Sequence, residues 1–258
     1  MTEYNKYITL CKNSLTNDYL FDNFKQNPNY SYILEQTHLD STFIGNICIE
    51  HLIKYHNDLL NLLPWSKYQE NDLVGNPKRK ICNKLKQHVN LLSYYFSQQT
   101  LRYILRSLNI FNHIVGKFGT IPNKLDIVEI GGAYGGQCKI LLDTLLEFKP
   151  ELIYTYTIID SQWPSALQKK YLETFKVKNL FYFTEKNYKH KEYDLCICSY
   201  TIEELPSYIQ NEYIHNIVLK SKSAYILWNN TSVHNLLKQF TVENKEPLFT
   251  PANITVKF

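Results

Sequence analysis

The chain lacks several features that mark membrane, secreted and nucleic-acid-binding proteins. No apolar run reaches about eighteen residues, so no transmembrane helix is expected. The segment from Met1 to Leu20 is polar, is interrupted by charges and has no apolar signal-peptide core. No dense basic run occurs, and only Arg79, Arg102 and Arg106 are arginines. We therefore expect a cytoplasmic protein without a membrane partner, and the charge pattern disfavours nucleic acid.

The sequence also lacks a metal-binding pattern. Its six cysteines are scattered rather than paired at the spacings of metal ligands. Cys196 and Cys198 lie in an apolar strand pattern, where we expect them to be small buried apolar residues that do not share a metal ion. We predict reduced, buried cysteines and no metal ligand, although scattered carboxylates could still meet in space.

The first part of the chain is predicted to be mostly helical. Helical periodicity covers 44–63, is broken over 64–77 by a stretch that contains Gly75-Asn76-Pro77, and resumes over 81–92 and 99–118. We expect a helical N-terminal region over 1–95 and a second domain over 96–258. The helix at 99–118 should bury a stripe of apolar side chains: Leu101, Ile104, Leu105, Leu108 and Ile110.

From Asp126 onwards, short apolar runs alternate with amphipathic stretches. This alternation is typical of right-handed βαβ units and a parallel sheet, and it predicts an α/β, Rossmann-like fold with helices on both faces. The predicted strands are 126–130, 154–159, 180–183, 194–199 and 224–228, with a last, antiparallel strand in the tail at 253–258. The predicted helices are 136–148, 165–175 and 209–220.

A glycine-rich loop joins the first strand to the helix that follows it. The segment 126–137 reads Asp-Ile-Val-Glu-Ile-Gly-Gly-Ala-Tyr-Gly-Gly-Gln. Glycines permit positive φ and let the backbone approach a ligand, and the N–H groups at the helix N-terminus can bind an anion. The dinucleotide pattern G-x-G-x-x-G fails here, because Ala133 or Tyr134 occupies its third position.

The pattern that is present, E-x-G-G-x-x-G-G, favours S-adenosylmethionine as the cofactor. Glu129 stands two residues before the first glycine, where a carboxylate can interact with the ammonium end of that cofactor but would sit poorly beside a pyrophosphate. The loop glycines and helix N-terminus would face the methionine carboxylate. A nicotinamide or flavin site and a merely structural turn are the alternatives.

Asp160 is the second acidic element. It ends the second strand, 29 residues after Gly131, where an acid can accept hydrogen bonds from ribose hydroxyls; a cap for the next helix is the alternative role. Glu185, after the third strand, is either an adenine contact or a solvated loop residue. The predicted cofactor-binding residues are Glu129, Gly131, Gly132, Tyr134, Gly135, Gln137, Asp160, Ser161 and Tyr200.

Several motifs together resemble the sugar O-methyltransferase family, within the class I S-adenosylmethionine-dependent methyltransferases. The resemblance extends from about residue 70 to the end of the chain. Besides the glycine loop, it includes the pair Tyr171-Leu172. The other matching motifs are Asp72-Leu-Val-Gly-Asn-Pro77, Gln99-Thr-Leu-Arg-Tyr103, Ser199-Tyr-Thr-Ile-Glu-Glu-Leu205, Glu246-Pro-Leu-Phe-Thr250 and Asn253. Glu203 and Ser199 depart from the family, which tends to have Ser and Asn there. Both lie near the presumed acceptor side.

The resemblance implies transfer of a methyl group to a hydroxyl of a sugar or glycan, which could be free, nucleotide-linked or polymer-linked. The fourth strand end lacks the Asn/Asp-Pro-Pro-Tyr motif of amino-methylating nucleic-acid enzymes, and Ser199 does not fit the Asp of cap ribose methyltransferases. A non-catalytic methyltransferase-like subunit and a nucleic-acid methyltransferase remain the alternatives.

Transfer to a hydroxyl needs a general base, because a hydroxyl is weakly acidic. Glu204 is the first candidate, because it matches the family's glutamate, and His234 is the second. Glu204 could instead be an acidic residue at a helix N-terminus that interacts favourably with the helix dipole, and His234 could be an exposed helix residue. Tyr200 could equally fill the core. The predicted substrate-binding residues are Asn76, Arg102, Tyr103 and Asn229.

Overall fold

The computed structural model describes residues 3–27, 41–188, 191–228, 234–243 and 254–258. Within these ranges, no helix is long and apolar enough to cross a membrane. The helices are α1 Glu3–Thr16, α2 Asp18–Asp22, α3 Ser41–His56, α4 Trp65–Glu70, α5 Gln98–Phe118, α6 Gly136–Phe148, α7 Gln162–Thr174 and α8 Ser207–Tyr213. The strands are β1 Lys80–Ile81, β2 Tyr95–Phe96, β3 Lys124–Ile130, β4 Ile153–Ile159, β5 Leu180–Phe183, β6 Leu195–Ser199, β7 Ala224–Trp228, β8 Thr241–Glu243 and β9 Ile254–Lys257.

Within the described ranges, the main sheet has seven strands in the order β5-β4-β3-β6-β7-β9-β8. Strands β3 to β7 are parallel, whereas β9 runs antiparallel to β7 and to β8. The chain builds outwards from β3 to β4 and β5 and then returns to the other side of β3 to form β6. The strand order therefore reverses between β3 and β6, which is where open α/β sheets bind ligands, outside the carboxyl ends of the strands. The predicted Rossmann-like α/β class is confirmed.

The tail strand is confirmed as antiparallel, but it is not the edge of the sheet. The short strand β8, which the sequence analysis did not predict, pairs with β9 through Val242 and Val256 and forms that edge. The predicted helix at 209–220 begins two residues earlier and gives way to a π-helical turn at Ile214–Val218. The helix predicted at 165–175 begins at Gln162.

One predicted helix is wrong. Helical periodicity over 81–92 does not produce an α-helix, because Lys80 and Ile81 pair with Phe96 and Tyr95 in a two-stranded antiparallel sheet. Only a 3₁₀ turn follows, at Asn83–Gln87. The two apolar residues at the ends of this segment, Ile81 and Leu92, are exposed. The strand pairing takes the backbone groups that a helix would have used.

The chain forms two compact units that are interleaved in sequence. The first, the helical unit, comprises Met1–Phe111, Ala133–Pro150 and Ala166–Val177, and the second, the sheet unit, comprises Asn112–Gly132, Glu151–Ser165 and Lys178–Phe258. The domain boundary predicted near residue 95 stays a prediction.

Each unit has its own buried core. In the helical unit, α5 buries the whole predicted stripe of Leu101, Ile104, Leu105, Leu108 and Ile110. In the sheet unit, side chains of β3, β6 and β7 pack with the π-helical turn, including Val128, Cys196, Cys198, Ile226 and Ile217. Full burial of one such aliphatic side chain stabilises a fold by about 1.5–3 kcal/mol.

Candidate functional site

Glu129, the penultimate residue of β3, has a buried carboxylate. Its side chain is 1% exposed, and Tyr156 on the neighbouring β4 donates its hydroxyl hydrogen to Glu129 Oε2 across 2.9 Å. A buried carboxylate is costly unless hydrogen bonds or a cation compensate it. The hydrogen bond from Tyr156 therefore offsets part of the cost of burying this carboxylate. Tyr156 was not predicted, because only the pairing of β3 with β4 brings it to Glu129.

Gly131 adopts a backbone conformation that other residues avoid. Its φ is +76°, and its N–H donates to Ile159 O at 2.9 Å. A Cβ at this position would lie 1.9 Å from Thr201 Oγ1, which is shorter than any tolerated contact. The turn between β3 and the following loop thus requires glycine, and the side chain after β6 packs directly on it. Thr201 belongs to the Ser199–Leu205 motif, and its packing against Gly131 is not evident from the sequence.

Asp160 is oriented by two backbone amides. Gly132 N donates to Asp160 Oδ2 at 3.1 Å, and Ser161 N donates to Asp160 Oδ1 at 2.7 Å. Each carboxylate oxygen has a second lone-pair direction, so the group can accept further hydrogen bonds from a ligand. Glu129, Gly131, Gly132 and Asp160 are therefore assembled at the carboxyl ends of β3 and β4, as predicted from their spacing.

Tyr200 is the residue after β6 and has φ of +65°, which is a strained value for a bulky side chain. Its N–H donates to Leu227 O at 3.0 Å, which holds the chain in this conformation. Such strain costs about 1–2 kcal/mol and is typical of functional loops. Tyr200 thus lies at the carboxyl edge of the sheet, and its contact with a cofactor stays a prediction.

Buried polar atoms also gather at this edge of the sheet unit. Among the described residues, Ser161 Oγ, Ser199 Oγ and Trp228 Nε1 are buried without a hydrogen-bond partner. They follow β4, end β6 and end β7, respectively. Such atoms normally find partners, so they mark places where a polar ligand can complete the hydrogen bonding. The residues present therefore fit a ligand that carries hydroxyl, amino and carboxylate groups.

Two predicted cofactor residues place their side chains in the core of the helical unit. Tyr134 is fully buried, contacts the ring of Tyr171 at 4.9 Å and accepts a hydrogen bond from Asn71 Nδ2 at 3.0 Å. Burial raises the pKa of the Tyr134 phenol well above its ordinary value, so it stays protonated. Gln137 is also buried and donates through Nε2 to Ser107 Oγ at 2.8 Å. Contact of either residue with a cofactor would run through its backbone.

Gly135 precedes α6 as its N-cap residue and has φ of +98°. A Cβ on Gly135 would meet the side chain of Leu172 at 3.0 Å. Glycine is therefore required both by the backbone conformation and by the close packing of α7. The predicted start of a helix immediately after the loop is confirmed.

The predicted substrate-binding residues of the helical unit differ in exposure. Asn76 is exposed, has φ of +47° and donates through Nδ2 to Asn23 Oδ1 at 3.0 Å. Arg102 and Tyr103 are 5% and 3% exposed, and the ring of Tyr103 contacts that of Tyr134. Their roles toward a substrate stay predictions. Asn229 and the tail motif at 246–250 and 253 lie outside the described residues.

Two of the motifs that carry the family resemblance have a structural function. Asp72 Oδ2 accepts the N–H of Ser97 at 2.6 Å, and Asp72 Oδ1 accepts the hydroxyls of Ser97 and Thr100, each at 2.7 Å. The buried Asp72 therefore caps the start of α5, where a carboxylate also interacts favourably with the helix dipole. These contacts explain Asp72 and Thr100 without reference to an acceptor.

Glu204 ends the 3₁₀ turn Ile202–Glu204, directly after β6. Its side chain is exposed, yet the protein atoms around it desolvate the carboxyl and raise its pKa above the ordinary value. His234 precedes a second 3₁₀ turn, and its Nδ1 accepts the N–H of Leu236 at 3.3 Å. Burial, with a smaller effect of His215, lowers the pKa of His234. His234 thus has a capping function at this turn.

The part of the chain that the structure describes contains no group of three or more His, Cys, Asp or Glu that could hold a metal ion. All six cysteines are buried, as predicted. Cys196 and Cys198 do not point to opposite faces of the sheet: they occupy alternate positions of β6, which share one face, and both pack in the same core cluster. Burial raises the pKa of the Cys198 thiol to about 12, so this thiol stays protonated.

No family model and no curated protein matches the chain. Among solved structures, it is similar to a provisionally assigned class I S-adenosylmethionine-dependent methyltransferase from Listeria monocytogenes, with 8% identity, a TM-score of 0.45, and coverage of 59% of this chain and 58% of that one. It is similar to the mitomycin 7-O-methyltransferase MmcR, with 11% identity, a TM-score of 0.42, and coverage of 62% and 54%. A third is the plantazolicin methyltransferase BpumL with SAH, with 19% identity, a TM-score of 0.35, and coverage of 50% and 48%. The chain thus matches less than two thirds of each of these proteins, and the likeness is one of fold.

Proposed function

We propose that the chain is an S-adenosylmethionine-dependent methyltransferase that acts on a hydroxyl of a sugar or glycan. One observation carries the cofactor assignment: Glu129, Gly131, Gly132 and Asp160 meet at the carboxyl ends of β3 and β4, beside the point where the strand order reverses. The acidic residue before the glycines distinguishes this loop from a pyrophosphate-binding loop.

Each of these residues has a role that follows from its chemistry. Asp160 accepts the ribose hydroxyls with its remaining lone pairs, because two backbone amides already fix its orientation. Glu129 faces the ammonium group of the methionine end, and Tyr156 holds its carboxylate in place. The orphaned Ser161 Oγ lies beside Asp160 and can complete the polar contacts.

When bound, S-adenosylmethionine supplies a methyl group on a sulfonium, which is a good leaving group. The chain's own task is then to position the acceptor and to take its proton. Glu204 is the proposed base: it follows β6 at the carboxyl edge of the sheet, and a raised pKa makes its carboxylate a stronger base. His234 is the second candidate, although its Nδ1 is engaged with Leu236 N–H.

The sugar or glycan acceptor is supported by the resemblance of the Ser199–Leu205 segment to the sugar O-methyltransferase family. It is also supported by buried polar atoms of the last residues of β6 and β7. Ser199 Oγ and Trp228 Nε1 are buried donors that a polyhydroxylated acceptor could engage. A screen of sugars, nucleotide-sugars and glycans for transfer of a labelled methyl group tests this assignment. Transfer to RNA or to an amine instead would refute it.

The cofactor is tested by calorimetry with S-adenosylhomocysteine. Asp160→Asn should weaken binding by about tenfold to a hundredfold, because it removes a charged hydrogen-bond acceptor. Asp194→Asn is the matched control, because Asp194 also accepts a backbone N–H, that of Asp126 at 2.8 Å, but at the amino ends of the strands. This control should bind as the wild type does. A wild-type chain that does not bind the ligand would refute the proposed cofactor.

A further inference from the structure

The glycine loop contains a strained residue that is not glycine. Ala133 has φ of +49°, a conformation that costs an L-residue about 1–2 kcal/mol. Strain of this kind persists only where surrounding contacts over-determine the conformation. Contacts around Ala133 must therefore hold the loop in this conformation.

Two side chains donate hydrogen bonds to the carbonyl oxygen of Ala133. Tyr7 of α1 donates its hydroxyl hydrogen across 3.2 Å, and Gln168 of α7 donates through Nε2 across 2.9 Å. Both side chains are buried, at 7% and 0% exposure. A carbonyl oxygen has two lone pairs, so these two donors saturate it and fix the plane of the peptide between Ala133 and Tyr134.

That peptide plane also determines where the next N–H points. In a trans peptide the N–H lies opposite to the C=O, and no cis peptide is present among the described residues. With the Ala133 carbonyl held toward Tyr7 and Gln168, the N–H of Tyr134 points away from them. The loop amide is thereby presented in one orientation rather than several.

The segment that carries Tyr7 also secures the side chain of Tyr134. Lys25 is 3% exposed and places its Nζ 4.3 Å from the centre of the Tyr134 ring, while its ammonium also donates to Asn71 O. The ring of Phe24 lies 5.5 Å from the same ring, edge to face. Residues 3–27 therefore contact Tyr134 and the peptide before it from one side.

We propose that Tyr7, together with Gln168, is a positioning residue of the cofactor loop, which it holds at the Ala133 carbonyl. The proposal rests on the proposed function, because it takes the loop to bind S-adenosylmethionine. Tyr7 does not touch the cofactor. It acts through the Ala133–Tyr134 peptide, whose orientation it shares with Gln168.

The test uses Tyr7→Phe, which removes only the donating hydroxyl. Affinity for S-adenosylhomocysteine, measured by calorimetry on the full chain, should fall about three- to tenfold, which is the effect of one neutral hydrogen bond. Tyr4→Phe is the matched control, because Tyr4 lies on the same helix with an exposed side chain. Its affinity should equal that of the wild type.

A second control separates positioning from stability. Tyr68→Phe also removes a buried hydroxyl of the helical unit, which is 2.7 Å from Thr144 Oγ1, and it should lower the Tm without changing affinity. Tyr7→Phe and Gln168→Leu should be non-additive in affinity, because both donors share one acceptor. Equal affinities of Tyr7→Phe and Tyr4→Phe would overturn the inference, as would a loss in Tyr68→Phe as large as that in Tyr7→Phe. In both cases binding by the wild type would leave the proposed function standing, whereas absence of wild-type binding would refute the proposed function itself.

Discussion

Gly131→Ala should destabilise the chain through two separable effects. A non-glycine residue at φ of +76° costs about 1–2 kcal/mol from the backbone conformation alone. The added Cβ would also lie 1.9 Å from Thr201 Oγ1 and 2.5 Å from both Thr201 Cβ and Cγ2, so Thr201 must move. Overpacking of this kind costs about 1–3 kcal/mol. The free energy of unfolding should therefore fall by about 2–5 kcal/mol.

Gly119→Ala isolates the conformational part. Gly119 belongs to the same unit and has φ of +78°, yet a Cβ there would meet nothing within 4 Å. This control should lose only about 1–2 kcal/mol. Urea denaturation followed by circular dichroism measures both values. The difference between the two variants, about 1–3 kcal/mol, corresponds to a Tm difference of at least about 2 °C.

A double variant tests the contact between the new Cβ and Thr201 directly. Combining Gly131→Ala with Thr201→Gly removes the three atoms nearest to the new Cβ, all of which belong to the Thr201 side chain, so the double variant should recover the steric part as a favourable coupling energy. If Gly131→Ala and Gly119→Ala lose equal stability, or if the double-variant cycle shows no coupling, the assignment of Thr201 as the packing partner of the loop is wrong.

Three further predictions concern hydrogen bonding and proton equilibria. Tyr156→Phe should lower the free energy of unfolding by about 1.5–3 kcal/mol, because it leaves the buried Glu129 carboxylate without this donor; an unchanged urea midpoint would contradict the pairing. Glu204→Gln should lower turnover by roughly a hundredfold, because it removes the proposed base. In the wild type, turnover should fall at acid pH with a midpoint above 4.5, the ordinary pKa of a glutamate, since the base works only when deprotonated, and the variant should lose this dependence. Near-normal turnover of the variant would assign the role of base to another residue. Burial holds the pKa of His56 below its ordinary value of 6.5, so protonation of His56 favours the unfolded state. The free energy of unfolding should therefore be highest above pH 6.5 and should decrease as the pH falls toward the folded-state pKa of His56. Denaturation of His56→Gln, which retains a group able to hydrogen-bond Asn109, should show a weaker dependence on pH over this range, and an unaltered dependence would refute the assignment.

Local patterns were sufficient for the elements that form the carboxyl edge of the sheet. The strand that ends at Ile130 and the helix that begins at Gly136 were predicted at these residues, because a short apolar run, turn glycines and helix initiation are short-range properties. Asp160 was likewise placed by its distance from the loop along a βαβ unit. The same reasoning failed over 81–92, where pairing with β2 overrides helical periodicity. The edge strand β8 was missed because three residues carry too weak a pattern.

By itself, the sequence determined the alternation of strands and helices, the glycine turn and the acidic residues before and after it, since spacing along the chain decides these features. Only the tertiary structure decided which side chains meet. The ring of Tyr134 belongs to an aromatic core, Thr201 packs on Gly131, and Tyr7 and Gln168 converge on Ala133 O although 161 positions separate them in the chain. A hydrogen bond depends on distances of about 3 Å, which strand register and helix packing set and which no local pattern encodes.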